Sequence, residues 1–292
     1  LQPLSRGKLK GMWDLTLNEP NVLTLDYCDF WFDDQLQARD EHVSVIQKRA
    51  LDLKRQVTIT MKFEFEIADN FQLPSNLYLV LETPEKYDIK INQQSVPGKD
   101  EGYYRDKSFR KLDISKNLQS GTNEIRLETE FGQSPAVYKA LEKAKVFESE
   151  KNKLSYDSEI ESIYLLGDFG VNTPGEFKTL PRKAVSYSGN FILESIPERV
   201  YPENLTVQGL PFNNGIVTLQ KKIKLTADEI ENRSLQFEEI NANVLGIKIN
   251  GEKVEDIYWR PYEVSLEDLL KPGINLLELR LTGNLRNMLG PH

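Results

Sequence analysis

The tetrapeptide Ile-Lys-Ile-Asn occurs at Ile89–Asn92 and again at Ile247–Asn250. Each copy is followed by a Gly-x-Asn turn and an alternating apolar run. Gly121-Thr122-Asn123 leads to Ile125, Leu127 and Phe131; Gly273-Ile274-Asn275 leads to Leu277, Leu279 and Leu281. The copies lie 158 residues apart at the tetrapeptide (Ile89 to Ile247) and 152 apart at the glycine (Gly121 to Gly273). Solenoid repeats run to only about 20–50 residues, so a recurrence of this size implies two related domains. A chain of 292 residues has room for both.

The segment 57–67 fixes the fold class of the first copy. Val57, Ile59, Met61, Phe63, Phe65 and Ile67 alternate with Thr58, Thr60, Lys62, Glu64 and Glu66. Successive side chains of a strand leave opposite faces, so this is a half-buried antiparallel strand. Further strands are predicted at Leu77–Glu82, Tyr87–Asn92, Ser108–Ile114, Glu124–Phe131 and Ile160–Leu166. Two stretches, Gln35–Gln56 and Ser134–Lys151, carry apolar residues at helical spacing and read as inserted amphipathic helices. In the second copy strands are predicted at Ser186–Ser195, Ile216–Leu225, Ser234–Ile240, Val244–Asn250, Asp256–Arg260 and Asn275–Thr282. Asn250-Gly251 is the strongest hairpin signal, because both residues tolerate positive φ. The expectation is an all-β chain of two jelly-roll β-sandwich domains, 1–175 with the helical insertions and 176–292 without them, divided around Gly170–Pro181.

Composition narrows the function. A formal net charge of −8 repels phosphate backbones, which argues against a nucleic-acid partner. No stretch of roughly 18 uncharged apolar residues exists, which argues against a membrane partner. Cys28 is the one cysteine and His42 and His292 the two histidines, too few for an ordinary zinc site. Cys28 therefore reads as a buried structural thiol. The first residues, Leu1 to Arg6, show neither an initiator Met nor the apolar core of a signal peptide, and read as the edge of a longer chain whose compartment is open.

Ile247-Lys248-Ile249-Asn250-Gly251, the aromatic pair Tyr258-Trp259, the segment Ser265–Leu270 and Gly273-Ile274-Asn275 together resemble the galactose-binding-like jelly roll. The first copy departs from the pattern, with Gln93 in place of the turn glycine and Tyr103-Tyr104 as its aromatic pair. Three further segments, Asn21–Cys28, Ile163–Gly170 and Leu281–His292, resemble the region that follows the catalytic barrel in large bacterial glycoside hydrolases of the α-L-rhamnosidase type. That resemblance implies non-catalytic modules that brace a barrel carried by the same parent chain, with a carbohydrate as the implied ligand. It also implies that a structural calcium could sit on loop oxygens, but no ligand loop of recognisable spacing assigns one. The alternative is a purely structural or protein-interaction module. A third reading, hydrolysis by this segment itself, needs a carboxylate pair across a cleft, which the sequence does not place.

Two aromatic clusters are candidate sugar surfaces. Asp26, Tyr27, Asp29, Phe30, Trp31, Phe32, Asp33 and Asp34 would offer Trp31 for stacking and Asp29 for hydroxyls; the competing reading is a strand with its rings in the core and acids at its end. Tyr258-Trp259-Arg260, with Tyr262, would offer Trp259 for stacking and Arg260 as donor; the competing reading has Trp259 capping the sandwich under Arg260. Tyr104 is the matching position of the first copy. The candidates are thus Trp31, Asp29, Tyr104, Trp259 and Arg260, with no catalytic residue and no metal ligand assigned. Asp168-Phe169-Gly170 matches a kinase magnesium motif but lacks its companions, and reads as a turn.

Overall fold

The computed structural model describes residues 7–97, 100–181, 184–266 and 268–290; the chain ends read above, including His292, lie outside them. The protein is all-β, with antiparallel sheets and three α-helices among the described residues. It divides into two compact units. The N-terminal unit comprises Leu23–Asp168 and Asn190–Glu194; the C-terminal unit comprises Leu1–Val22, Phe169–Gly189 and Ser195–His292. The division expected at 175/176 left residues 1–22 in the first domain. Their place follows from pairing: Trp13–Leu17 runs antiparallel to Ile216–Leu225, with Leu15 opposite Leu219.

In the N-terminal unit, Val57–Ile67 pairs along its whole length with Gly121–Phe131, which pairs in turn with Asp88–Ile91. The predicted alternation is the observed one. Val57, Ile59, Met61, Phe63, Phe65 and Ile67 are all buried, and each such side chain contributes about 2–3 kcal/mol of apolar transfer. A second sheet holds Asn21–Leu25, Ile163–Gly167, Tyr78–Glu82, Asp106–Asp113 and Asp100–Tyr104 in that order.

The C-terminal unit repeats the central part of this arrangement. Ile216–Leu225, Gly273–Thr282 and Val244–Ile249 are neighbours in a six-stranded sheet. Registers correspond as well: Ile91 faces Ile125 and Ile89 faces Leu127, while Ile249 faces Leu277 and Ile247 faces Leu279. The pair Ser234–Gln236 and Glu263–Ser265 lies outside that sheet, and its Leu235 and Val264, with Leu266 beyond, join the core.

An asparagine pair fastens each hairpin to the following strand by one hydrogen-bond pattern. Asn92 Nδ2 donates to Asn123 Oδ1 (2.8 Å) and to Asn117 O (2.8 Å), and Asn92 Oδ1 accepts from Glu124 N (3.0 Å). Asn250 Nδ2 donates to Asn275 Oδ1 (2.9 Å) and to Leu269 O (3.3 Å), and Asn250 Oδ1 accepts from Leu276 N (3.0 Å). Asn123 and Asn275 are fully buried and each also exchanges hydrogen bonds with the turn behind it, at Gln119 and Lys271. A buried amide is tolerated only when its donors and acceptors are used, and these are.

Several local expectations change: the strand predicted at Asp256–Arg260 is Glu252–Ile257, and the one predicted at Ser234–Ile240 ends at Gln236. The predicted helix Gln35–Gln56 is a strand, Gln35–His42, followed by the helix Val43–Leu53. Asp33 and Asp34 both take positive φ and turn the chain back onto Tyr27–Phe32, placing Leu36 opposite Trp31. The helix begins only where His42 Nδ1 accepts from Ser44 N at 3.2 Å. The predicted helix Ser134–Lys151 starts as expected after Ser134 but breaks at Phe147, which is exposed rather than on the buried side. The predicted strand Ser186–Ser195 is two strands, Val185–Ser188 and Ile192–Glu194, split where Gly189 takes φ +151°.

Candidate functional site: an exposed aromatic loop

The strand Glu252–Ile257 ends with Ile257 buried, and Glu263–Ser265 begins four residues after Trp259 with Val264 buried. Between them, Tyr262 packs against the core and its carbonyl accepts from Phe237 N at 2.9 Å. Pro261 has no N–H with which to continue a ladder. The loop is thus pinned on both sides, and the residues between the pins face water. Trp259 is 75% exposed and Tyr258 57%. Their ring centroids are 5.7 Å apart and the planes inclined at 38°, so they form two facets and not one flat platform. Arg260 lies with its guanidinium 5.1 Å from the Tyr262 ring, not over Trp259 as the capping reading required. The buried tryptophan of this unit is Trp13, 2% exposed, with Lys221 Nζ 5.6 Å from its ring. No local pattern marks Trp13 as buried, because its strand is paired with segments some 200 residues away.

The other cluster is built differently. Along Tyr27–Phe32 the side chains of Cys28, Phe30 and Phe32 are buried, while Tyr27, Asp29 and Trp31 lie on the other face, Trp31 half-buried. Three of its four acids have partners within the protein. Asp29 accepts from Arg39 Nη1 at 2.8 Å and from Asp40 N at 3.1 Å. Asp33 accepts from Arg55 Nη2 at 2.6 Å and from Thr58 N at 3.1 Å, and these bonds hold its carboxyl below the usual carboxylate range. Asp26 is buried with an oxygen 3.2 Å from His42 Nε2. Carboxylates committed in this way make a poor set of sugar acceptors. Tyr104 is also buried, with the Arg105 guanidinium 4.9 Å from its ring, while its neighbour Tyr103 is exposed. The structure therefore brings Trp259 and Arg260 onto one open loop, with Tyr258, whereas Asp29 is bonded to Arg39, Tyr104 is buried and Trp31 stands half-buried on a strand elsewhere.

A cleft of about 110 Å³ in the N-terminal unit is lined by Glu82, Lys86, Tyr87, Tyr156, Asp157 and Glu161. Burial, then the charges of Glu82 and Glu159, raise the Glu161 carboxyl above its ordinary value. Small-molecule sites occupy roughly 300–1,000 Å³, so this space is short of what a sugar ring needs. Among the described residues no group of three or more His, Cys, Asp or Glu is placed to hold a metal ion. No helix among them is long and apolar enough to cross a membrane.

No protein-family model and no curated protein matches the chain. Among solved structures it is similar to the β-D-mannosidase from Dictyoglomus thermophilum, at 14% identity over 90% of this chain and 31% of that one, with a TM-score of 0.33. It is similar to the α-L-rhamnosidase of Streptomyces avermitilis at 9% identity, over 94% of this chain and 26% of that one, with a TM-score of 0.33. For the exo-chitosanase of Amycolatopsis orientalis the values are 11%, 90%, 29% and 0.30. The chain thus spans about a third or less of the length of each. Identities and scores this low transfer no residue, site or activity. The solved structures it resembles are glycoside hydrolases, each matched over a fraction of its length.

Proposed function

We propose that this chain is a pair of non-catalytic β-sandwich modules of a glycoside hydrolase, serving to brace a catalytic barrel and holding carbohydrate weakly on the Tyr258–Trp259 loop. The observation that carries the binding part is the 75% exposure of an indole on a loop pinned at both ends. An exposed tryptophan on a fixed support is an unusual use of a large apolar ring, and such surface marks interaction sites. The indole face would meet the C–H face of a pyranose, and Arg260, the next residue of the loop, would have to leave the Tyr262 ring to donate to hydroxyls. One ring on an open surface supports about millimolar affinity, roughly 4 kcal/mol. Tethering to a catalytic domain would make that sufficient through effective concentration. The hydrolase setting is the one the sequence resemblance implies.

The second reading, a purely structural or protein-interaction module, is favoured by the commitment of Asp26, Asp29 and Asp33 to protein partners. Titration with rhamnose and with galactose, followed by tryptophan fluorescence or NMR shifts, separates the two. The proposal expects saturable changes in the millimolar range that Trp259→Ala removes and Trp31→Ala leaves. Changes absent in the parent chain, or surviving Trp259→Ala, would support the structural reading. The same preparation should show no turnover of aryl rhamnosides, and turnover that Asp29→Asn abolishes would restore the catalytic reading.

A further inference from the structure

Asn92-Gln93 and Asn250-Gly251 hold matching places at the tips of matching hairpins, with both asparagines in the left-handed region at φ 49° and 53°. Both side chains are held by the same three kinds of hydrogen bond, to a partner asparagine, to a turn carbonyl and from the next strand. They differ in the residue that follows. The carboxamide carbon of an asparagine can be attacked by the backbone nitrogen of its successor, and a glycine without a Cβ leaves that approach open where a glutamine crowds it. Apart from its chain neighbours, no residue comes within 4 Å of the place where a Cβ would stand on Gly251, and Asn250 and Gly251 are both exposed, so water reaches the tip.

We propose that Asn250 is a deamidation site whose reactivity is governed by the folding of the C-terminal unit. While the asparagine clasp holds, the carboxamide is tied to Asn275, Leu269 and Leu276 and is not free to rotate onto the Gly251 nitrogen. When the hairpin detaches, the Gly251 nitrogen attacks Cγ of Asn250 and its proton passes to solvent base. Ammonia leaves with Nδ2, and a five-membered succinimide remains. Water then opens one of the two C–N bonds of that ring, giving aspartate or isoaspartate, with no change of oxidation state. Neither product can rebuild the clasp. Aspartate has no N–H for Asn275 Oδ1 or Leu269 O, and sets a negative charge against both oxygens. Isoaspartate adds a methylene to the backbone of a two-residue turn, which has no register to spare. The N-terminal unit, with Gln93 at the same place, is spared. The modification would thus be a one-way mark of past opening, confined to one of two otherwise matching clasps.

The test is to hold the whole chain at mildly alkaline pH, once folded and once in urea, and map the conversion of amide to acid by mass spectrometry. The buried Asn214, which also precedes a glycine, serves as a second reference. In urea, Asn250 and Asn214 should convert and Asn92 should not. Folded, Asn250 should convert at least about tenfold more slowly, because only the open fraction reacts. The urea midpoint of the C-terminal unit should fall in step with the fraction converted, and Asn250→Asp should lower it directly. Equal rates folded and unfolded, conversion of Asn92 alongside Asn250, or an aged chain with an unchanged midpoint would each overturn the proposal. The aged wild-type chain gives the last reading even where Asn250→Asp does not fold.

Discussion

Asn250 Nδ2 lies 2.9 Å from Asn275 Oδ1, and Asn92 Nδ2 lies 2.8 Å from Asn123 Oδ1 in the other unit. The buried member of each pair is the hub: Asn275 also accepts from Lys271 N and donates to Lys271 O. Asn275→Ala would leave the Lys271 N–H and carbonyl without this partner and would remove one of the two bonds that Asn250 Nδ2 donates, the one to Leu269 O remaining. At roughly 1–3 kcal/mol per orphaned group, partly relieved by water, the expected loss is about 3 kcal/mol. Asn123→Ala should cost the N-terminal unit a similar amount. Urea unfolding of the two variants checks both; a loss under about 1 kcal/mol would mean the clasp is ornamental to stability.

The two hairpin tips differ at one position, with Gln93 at φ +67° and Gly251 at φ +88°. Only glycine adopts such angles without penalty, and the space beside Gly251 is open, so the difference is one of backbone conformation. Gly251→Gln should destabilise by about 1 kcal/mol and Gln93→Gly should stabilise by somewhat less, because glycine also widens the unfolded ensemble. Paired melting curves of the two variants give the answer.

Glu278 sits between strands, its carboxylate accepting from Gln220 Nε2 at 2.8 Å and lying 3.0 Å from Lys248 Nζ. The bond from Gln220, followed by Lys248, lowers its carboxyl below the ordinary value of 4.5. A depressed folded-state value means that stability from this group is present above the unfolded value and is lost as pH falls through the folded one. Glu278→Gln should therefore cost about 1 kcal/mol at neutral pH and much less near pH 3, as measured by urea midpoints at both. An equal cost at both pH values would show that packing, not charge, is responsible.

Cys28 is buried at 3% exposure, and burial together with the charge of Asp29 pushes its thiol far above the ordinary range. A thiol so placed presents almost no thiolate. Alkylation of the native chain should be slow and should rise to the rate of a free thiol on unfolding. Rapid reaction of the folded protein would remove Cys28 from the core.

The duplicated tetrapeptide announced the repeat because strand registers rest on local alternation, which residues 57–67 and 121–131 carry in full. Leu36 and the residues beyond it mimic a helical face, but two aspartates at positive φ turn 35–42 into a strand, and aspartate does not advertise that angle as glycine does. Trp259 and Trp31 were equally plausible as exposed rings, since a strand's period fixes sides but not which side is covered. Trp13 was not legible, because its burial depends on Ile216–Leu225, a pairing that no local pattern encodes.

That pairing sets an order of events during synthesis. Trp13–Leu17 leaves the ribosome early, but its neighbour Ile216–Leu225 is made some 200 residues later, and the strand after that, Gly273–Thr282, later still. Val57–Ile67 and Gly121–Phe131 can meet long before then. At about 5–20 residues per second, Trp13–Leu17 waits on the order of ten seconds or more for its partner. During that interval its strand edge and the Trp13 indole stay uncovered, so the C-terminal sheet is completed late, from strands far apart in the chain.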